Sequence, residues 1–342
     1  MKILLRADAS RTQGTGHVMR VLTLSEELVA AGHEVHLASA PSGIEWLEQV
    51  IVDRGLTRHV VEAHTLSPEL LADVAPDWLV VDSYEIPARL ISSARDVTRV
   101  LAVIDADSRG IEADIYVDHN VGAENLPWSE FVRERILAGS RYALIRRAIR
   151  SVRRAQPWVA ESQPPTILGF MGGTDPTGMI VRVAQAIADT SSPLQSVLIC
   201  APTWREQVES LLAGKPEVRI IAPTNDLPAL LASTDIAISA AGTSSWELCT
   251  LGIPSILIEV VDNQTESLRE MTKRGLVIGL SPSSFAGDEM TAAITHHLED
   301  LVGNERLRQS LSHACSAIFD GRGAQRVVES MTRVSADSNL QG

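Results

Sequence analysis

The sequence predicts an α/β protein with two Rossmann-type domains, each built on a parallel sheet. Its 342 residues exceed the size that one hydrophobic core usually reaches. Apolar runs of strand length alternate with longer segments whose apolar residues recur at helical spacing. A strand, a glycine turn and a helix follow one another in both halves, at residues 2–28 and 236–247. The two halves therefore repeat a topology, without an evident internal sequence repeat.

The first element is an apolar strand at residues 2–5, which leads into a loop and helix within residues 6–20, RADASRTQGTGHVMR. Gly14 and Gly16 allow the backbone to turn tightly and to approach a ligand closely. His17 then stands at the N-terminus of the predicted helix. Open α/β sheets bind their ligands at strand–loop–helix junctions of this kind.

The helix after His17 ends at Gly32, a residue type that favours a helix C-cap. Residues 33–38 alternate in polarity as a second strand does. Strand, helix and strand in this order form a βαβ unit, so the sheet is predicted to be parallel. Two later strands of this domain end at Asp82 and Asp105, and a third, short strand is followed by Asp118. We expect the ligand site at the edge of the sheet where these strands end.

Residues 146–165 are basic and then proline-containing, which is typical of a linker between domains. This linker predicts an N-terminal domain at 1–150 and a C-terminal domain at 163–342, with the last helix free to pack back on the N-terminal domain. The arginine run leaves a phosphate or RNA patch as an alternative, although short charge runs are usually solvated.

The second domain opens with a strand at 166–171 and the pair Gly172-Gly173. Predicted helices and strands then alternate at 179–189, 196–200, 205–212, 218–222 and 226–233. The strand from Ile236 leads into a turn at 241–245 that supplies free amides and hydroxyls at a helix start, as a diphosphate requires. The candidate nucleotide-binding residues at this turn are Gly242, Thr243, Ser244, Ser245 and Glu247. An ordinary N-cap is the alternative.

The amino-acid composition limits the kinds of partner that this protein is expected to bind. The net charge of −13 argues against nucleic acid or an anionic membrane, since both bind basic surfaces. No apolar run approaches the roughly 20 residues that cross a bilayer, and no signal peptide is evident, so we expect a cytoplasmic protein without membrane insertion. A monomer or small homo-oligomer is expected. The three cysteines lack metal or disulfide spacing and are predicted to be buried thiols.

Seven segments in order carry a family resemblance: RADAS…GTGHVMR near the N-terminus, VVDSY at 80–84, VDHNVGAE at 117–124, GSRYALIR at 139–146, MGGTDP at 171–176, AAGTSSWELCTLGIPSILI at 240–258 with DNQ at 262–264, and DGRGAQRVV at 320–328. Together they cover almost the full chain and resemble the nucleotide-sugar hydrolases of pseudaminic acid biosynthesis and the related spore-coat polysaccharide proteins. The resemblance implies a GT-B-like fold, with two Rossmann-type domains facing each other across a cleft.

The resemblance also implies roles for single residues. His17 matches a catalytic histidine that activates or positions the attacking water. Tyr84 matches a tyrosine beside the sugar, and Asn263 an asparagine near the reacting centre, with Gln264 adjacent as a substrate contact. The turn at 240–247 matches the site for the diphosphate and ribose of UDP. Gly172 and Gly173 are then expected to line the cleft beneath the phosphates.

The implied reaction is metal-independent, inverting hydrolysis of a UDP-linked acetamido or amino deoxysugar, similar to UDP-2,4-diacetamido-2,4,6-trideoxy-altropyranose, to UDP and free sugar. A helix N-terminus can stabilise the departing UDP, so no metal or other cofactor is expected. The alternative is a GT-B glycosyltransferase with a sugar, lipid or secondary-metabolite acceptor. A nucleotide-sugar-binding protein without catalysis is a third hypothesis. The sequence alone does not choose between water and a larger acceptor.

Several assignments stay open at this stage. Gly14, Gly16 and Arg20 are candidate substrate contacts, but Arg20 lies one turn after His17 and could equally form a surface ion pair. Asp8 either orients His17 or caps the loop. His119 and the pair His296-His297 show no matched spacing with carboxylates, so no metal site is predicted.

Overall fold

The computed structural model describes residues 1–153, 164–173 and 175–339, with the backbone alone for 337–339. Residues 154–163 of the predicted linker lie outside the described residues. The chain divides into two compact units, Met1–Arg147 with Gly321–Gly342, and Ala148–Asp320. The C-terminal helix is thus part of the first unit, an arrangement that the sequence analysis had left open.

The first unit contains a seven-stranded parallel sheet in the order β3-β2-β1-β4-β5-β6-β7. Its strands are β1 (Lys2–Ala7), β2 (Glu34–Ser39), β3 (Thr57–Val60), β4 (Trp78–Asp82), β5 (Arg99–Val103), β6 (Ile115–Asp118) and β7 (Ile136–Ala138). Its helices are α1 (Gly16–Ala30), α2 (Glu45–Asp53), α3 (Pro68–Val74), α4 (Ala88–Ser93) and α5 (Glu130–Arg133), with α6 (Arg147–Ser151) at the unit boundary.

The second unit contains a six-stranded parallel sheet in the order β10-β9-β8-β11-β12-β13. Its strands are β8 (Thr166–Phe170), β9 (Gln195–Ile199), β10 (Val218–Ile221), β11 (Ile236–Ala240), β12 (Ser255–Ile258) and β13 (Ile278–Leu280). Its helices are α7 (Met179–Asp189), α8 (Arg205–Leu211), α9 (Leu227–Ala232), α10 (Ser244–Leu251), α11 (Thr265–Lys273), α12 (Glu289–Gly303) and α13 (Glu305–Ile318). The chain ends with α14 (Gly323–Asn339).

Both faces of the first sheet are covered, which explains the nearly continuous apolar sequence of β1. Ile3 and Leu5 belong to one buried core cluster, and Leu4 belongs to a second cluster that also contains Leu79 and Val81. Burial on both faces is typical of parallel sheets between helices. The predicted pair of parallel-sheet α/β domains is confirmed.

The two sheets reverse their strand order at equivalent places, between β1 and β4 in the first and between β8 and β11 in the second. Ligands of open α/β sheets bind beyond the carboxyl ends of the strands at such a switch point. The loop that leaves β1 leads to His17 in the first turn of α1, and the loop that leaves β4 contains Tyr84. The loops that leave β8 and β11 contain Gly172 and Gly242. Each unit thus brings its own candidate residues to its switch point.

The C-terminal helix α14 completes the core of the first unit. It packs against α1, and its buried residues are Ala324, Val327, Val328 and Met331. We expect Met331→Ala to lower the free energy of unfolding by about 2–4 kcal/mol, because a fully buried methionine leaves a cavity. Denaturant unfolding followed by fluorescence measures this loss. Glu329→Ala, exposed on the same helix, should change the stability by less than about 0.5 kcal/mol; an equal loss in both variants would contradict the role of α14 in the core.

Cys200, Cys249 and Cys315 are buried free thiols, as the sequence predicted. Within the described ranges, no helix combines the length and the apolar composition that crossing a bilayer requires.

Candidate functional site

The loop between β1 and α1 carries His17 to the carboxyl edge of the first sheet. The loop closes on itself where the Gly14 amide donates to the Ser10 carbonyl at 2.9 Å. Gly14 has a φ of +84°, a conformation that glycine adopts without strain. Helix α1 begins at Gly16, so His17 lies in its first turn, with 6% of its surface exposed. The predicted position of His17 at a helix start agrees with this geometry.

Asp82, the last residue of β4, holds the His17 ring. The Nδ1 atom of His17 lies 2.5 Å from Oδ1 of the fully buried Asp82 carboxylate. A carboxylate carries no proton to share, so Nδ1–H is the donor of this bond. In the neutral ring the lone pair then lies on Nε2, the nitrogen that can accept a proton. From the sequence, Asp82 is recognisable only as the end of a strand, with nothing that links it to His17.

Asp8 has a different task. Its carboxylate accepts two hydrogen bonds from the Arg6 guanidinium, at 2.6 and 2.7 Å. It also accepts from the backbone amides of Ala40 and His64, both at 2.9 Å. Asp8 therefore ties neighbouring loops together at the carboxyl end of β1. Of the two roles that the sequence left open, the structure supports loop capping, because Asp82 orients His17.

Arg20 lies between two carboxylates and is not on the surface, with 6% of its area exposed. Its Nε and Nη2 atoms donate to Asp82 at 2.6 and 2.7 Å. Its Nη1 atom lies 3.0 and 2.9 Å from the two oxygens of Asp105. Nη2 also lies 3.0 Å from Nδ1 of His17, but two donors face each other there, so this contact is not a hydrogen bond. The alternative of a surface ion pair is thus wrong, and the donors of this candidate substrate contact are engaged within the protein.

Asp105, which follows β5, collects a further set of donors. The Tyr84 hydroxyl donates to its Oδ2 atom, and the Asn120 amide donates to its Oδ1 atom at 2.8 Å. The edge of the Tyr84 ring meets the His17 ring, with centroids 4.6 Å apart and an interplanar angle of 87°. From the sequence, Asp105 was placed at this edge of the sheet as a strand end, but neither Asp105 nor Asn120 was given a role in the site.

The electrostatics of this cluster fix its protonation states. Burial alone would raise the pKa of Asp82, but the charge of Arg20 and the contact with His17 outweigh it and hold that pKa below its ordinary value. The pKa of Asp105 is lowered in the same way, chiefly by Arg20 against the effect of burial. Burial and the adjacent Asp105 charge raise the pKa of Tyr84 well above its ordinary value. The cluster therefore holds two carboxylates and a neutral phenol.

Two further groups border this cluster. Burial, with the positive charge of Arg20, lowers the pKa of His119 to about 4. Burial, with the negative charge of Asp105, raises the pKa of Asp118 to about 6. His119 is therefore neutral near pH 7 and adds no positive charge beside Arg20.

In the second unit, the turn between β11 and α10 presents backbone donors. In the part of the chain that the structure describes, we find no hydrogen bond from the amides of Gly242 and Thr243. The Thr243 side chain does not cap the helix, whereas the Ser245 and Trp246 amides donate to the Gly242 and Thr243 carbonyls at 2.9 and 3.2 Å. Ser244 begins α10, and Ser245 is fully buried. Free backbone N–H donors at the N-terminus of a helix, such as those of Gly242 and Thr243, favour the binding of an anion.

Gln264 packs close to this turn. Its Oε1 atom accepts from the Val260 amide at 2.9 Å, which fixes the orientation of the side-chain amide. Its Nε2 atom would lie 3.6 Å from a Cβ atom at Gly242. Asn263 is exposed on the same short turn after β12, and Glu247 is buried in the first turn of α10. The structure thus brings Gln264 to the Gly242 turn.

The glycine pair after β8 lies at the same edge of the second sheet. Gly172 has a φ of +70°, so a side chain there would be strained. Gly173 follows it in the turn. The buried Asp175 carboxylate accepts from the Met179 and Ile180 amides at 3.0 and 3.1 Å and so satisfies the N-terminus of α7. Asp175 is therefore structural, and the pair Gly172-Gly173 is the open part of this turn.

The described residues include one group that could hold a metal ion, His296, His297 and Asp300 on α12. His296 Nε2 lies 3.4 Å from Asp300, four residues later on the same helix, so the prediction that this histidine shows no matched spacing with a carboxylate is wrong. His296 and Asp300 are exposed.

Comparisons with known proteins define the class. The glycosyltransferase family 28 C-terminal domain matches residues 167–313. The crystal structure of Acinetobacter baumannii MurG superposes with a TM-score of 0.70 at 16% identity, over 97% of this chain and 100% of that one. The S. aureus MnaA–UDP co-structure gives a TM-score of 0.69 at 14% identity, over 98% and 97%. The protein therefore has a GT-B-like fold, and residues 167–313 are similar to a glycosyltransferase domain.

Sequence relatives make the class more specific. The spore coat polysaccharide biosynthesis protein SpsG of Bacillus subtilis (strain 168) is 26% identical over 361 residues, which is 96% of both chains. A UDP-N-acetylglucosamine--N-acetylmuramyl-(pentapeptide) pyrophosphoryl-undecaprenol N-acetylglucosamine transferase of Acidithiobacillus ferrooxidans is 25% identical over 289 residues, 76% of this chain and 79% of that protein. The chain is thus SpsG-like over nearly its whole length.

Proposed function

We propose that this protein is an inverting glycosyltransferase that uses a UDP-linked N-acetylated amino sugar as donor and His17 as general base. The observation that carries the proposal is the bond between His17 Nδ1 and Asp82, which leaves Nε2 as the proton acceptor. A histidine oriented by a buried carboxylate is suited to deprotonating a hydroxyl near neutral pH. A nucleotide-binding protein without catalysis would have no use for this pair.

The reaction balances with these groups. Nε2 of His17 takes the proton of the nucleophilic hydroxyl as its oxygen bonds to the anomeric carbon. The bond from that carbon to the UDP oxygen breaks, and its electron pair leaves with UDP. Attack on the face opposite UDP inverts the anomeric configuration. The Asp82 carboxylate stabilises the imidazolium that forms, as a carboxylate does beside other catalytic histidines.

The second unit is the proposed nucleotide site. The open amides of Gly242 and Thr243 at the N-terminus of α10 suit the diphosphate of UDP, whose charge grows as the bond breaks. The UDP-bound MnaA structure, which shares the fold, supports UDP as the nucleotide. Glu247 is the proposed ribose contact, and Gln264 the proposed donor to the sugar, because its Nε2 atom is turned toward Gly242.

The backbone character of the diphosphate site can be tested with Gly242→Val. A Cβ atom at Gly242 makes only an ordinary contact with Gln264, so the fold should tolerate the change while the branched side chain covers the amides. We expect the Kd for UDP to rise about 10-fold or more, equivalent to about 1.4 kcal/mol. Isothermal titration calorimetry with UDP measures it. Thr243→Ala, which keeps the amides, should change the Kd less than about 3-fold; a larger loss there than in Gly242→Val would contradict backbone binding.

A hydroxyl acceptor is the main proposal because several relatives carry a transferase name and cover up to 76% of this chain. Hydrolysis of a UDP-linked acetamido or amino deoxysugar is the second candidate. It is favoured by the similarity to SpsG over 96% of the chain and by the GTGH, VVDSY and DNQ segments, which resemble the pseudaminic acid hydrolases. Both candidates use the same donor and the same base.

The deciding experiment measures UDP and sugar products together. The purified protein is incubated with UDP-N-acetylglucosamine and with UDP-linked acetamido deoxysugars, with and without hydroxyl-bearing sugar or lipid acceptors. A transferase releases UDP in proportion to the glycosylated acceptor. Stoichiometric free sugar and UDP without any acceptor would reject the transferase in favour of hydrolysis. The absence of UDP release under all conditions, with UDP still bound, would reject both.

A further inference from the structure

Resting on the proposed role of His17, we propose that Asp105 is a positioning residue that holds both of the groups that fix the His17 ring. One group is Arg20, which acts through Asp82, and the other is Tyr84, which packs on the ring itself. Asp105 makes no contact with His17 in the described structure and acts through these two neighbours.

The first connection from Asp105 to His17 runs through Arg20 and Asp82. Asp105 engages Nη1 of Arg20 at 2.9 and 3.0 Å, while Nε and Nη2 of the same guanidinium hold Asp82. The planar guanidinium presents its donors in a fixed fork, so anchoring one side sets the other. Asp82 in turn receives the Nδ1–H of His17. The carboxylate of Asp105 thus fixes the angle at which Asp82 meets the ring.

The second connection from Asp105 to His17 runs through Tyr84. Its hydroxyl proton is donated to Asp105, and its ring edge meets the His17 ring at 87°. A phenol has one proton, so this hydroxyl has none to donate to a substrate while the bond lasts. The high pKa of Tyr84, caused by burial and by Asp105, agrees with a neutral phenol. Tyr84 therefore serves as a packing surface for the His17 ring and does not donate its proton to the substrate.

The location of Asp105 argues for this role over simple packing. Its carboxylate accepts from Arg20, Tyr84 and Asn120, which come from three different segments at the carboxyl edge of the sheet. Burying a carboxylate is costly unless it is fully paired, so the identity of its partners, and not their number, indicates its role. Here every partner either reaches His17 or fixes Asp105 itself. His119 and Asp118 complete the surroundings of Arg20 and Asn120.

The test is the tautomer of His17, read from ¹⁵N spectra of the full-length protein with labelled histidine, and assigned with His17→Gln. We expect the neutral ring to be the Nδ1–H tautomer in the natural protein. In Asp105→Asn a substantial Nε2–H population should appear, and kcat/KM should fall about 10- to 100-fold, the usual cost of losing an orienting partner. A retained Nδ1–H tautomer with unchanged kcat/KM would overturn the proposal.

The matched control is Asp114→Asn, which removes the same charge at the amino ends of the strands, where Asp114 pairs with Arg95. It should leave the tautomer and kcat/KM unchanged. The amide of Asp105→Asn would face donors of Arg20 and Asn120, so Asp105→Ser, which can still accept, is the second variant if the first does not fold.

Tyr84→Phe distinguishes the connection through Tyr84 from the connection through Arg20. Because it keeps the ring, we expect the Nδ1–H tautomer to persist with a loss in kcat/KM of roughly 3- to 10-fold, the size of one hydrogen bond. A loss as large as that of His17→Gln would show that the hydroxyl acts on the substrate and would overturn the proposal. The tautomer of His17 is measured without substrate, so this measurement tests the role of Asp105 independently of any turnover. If no UDP-sugar donor is turned over, the proposed function is rejected, but the tautomer still tests the positioning role of Asp105.

Discussion

His17→Gln is expected to lower kcat by about 10²- to 10⁴-fold while the Kd for UDP stays unchanged. Glutamine fills similar space and can donate to Asp82, but it cannot take up a proton near neutral pH. The nucleophile would then have to attack without a base. Initial rates of UDP release under saturating donor, together with calorimetry of UDP binding, separate the chemical step from nucleotide affinity.

The control for this variant is His59→Gln on the edge strand β3, where the imidazole bonds to His36. It should keep kcat within about 2-fold, since surface-near substitutions outside a site have small effects. If His17→Gln retained more than a tenth of the natural kcat, the ring would not be the base. A parallel loss of UDP affinity would instead indicate that His17 belongs to the nucleotide site.

The fold could be predicted because its signals are local. Strands buried on both faces read as continuous apolar runs, as in β1, β4 and β11, and each is followed by a polar turn and a helix. The edge strand β3 was missed because its sequence, TRHV, alternates only weakly and is partly exposed. The strands β7 and β13 were also missed, because they have only three residues each and are shorter than a typical strand.

The site was predictable only where it is contiguous in sequence. His17 was predicted from the glycine turn and the helix start that flank it. Tyr84 was predicted only from the family resemblance of the segment VVDSY. Asp82 and Asp105 lie 65 and 85 positions away from their partners in α1, so no spacing rule joins them. The register of the sheet does, because it pairs Ala7 at the end of β1 with Asp82 at the end of β4.

Arg20 shows why a charged residue near a motif is hard to assign from sequence. One turn after His17, it could have contacted phosphate, sugar or solvent. Two carboxylates from neighbouring strands decide its place, and neither is local to α1. Its buried charge is compensated within the unit, and in the proposed reaction Arg20 would act through Asp82.

Asp82→Asn is the second variant with a large expected effect, a loss of about 10³- to 10⁴-fold in kcat, the size seen when the orienting acid of a Ser-His-Asp triad becomes an amide. An asparagine has one acceptor oxygen where Asp82 accepts from both His17 and Arg20. Its NH₂ group must face one of these donors, which leaves the ring free to adopt the wrong tautomer.

The same change should also cost stability, because Arg20 keeps its buried charge while losing half of its carboxylate partners, and breaking a buried pair costs about 3–5 kcal/mol. Thermal unfolding and kcat are therefore measured on one preparation. Asp77→Asn, an exposed aspartate just before the other end of β4, removes equal charge and should change neither quantity appreciably. If Asp82→Asn lost stability but kept kcat within 10-fold, Asp82 would be an anchor for Arg20 alone, and His17 would not depend on it as a base.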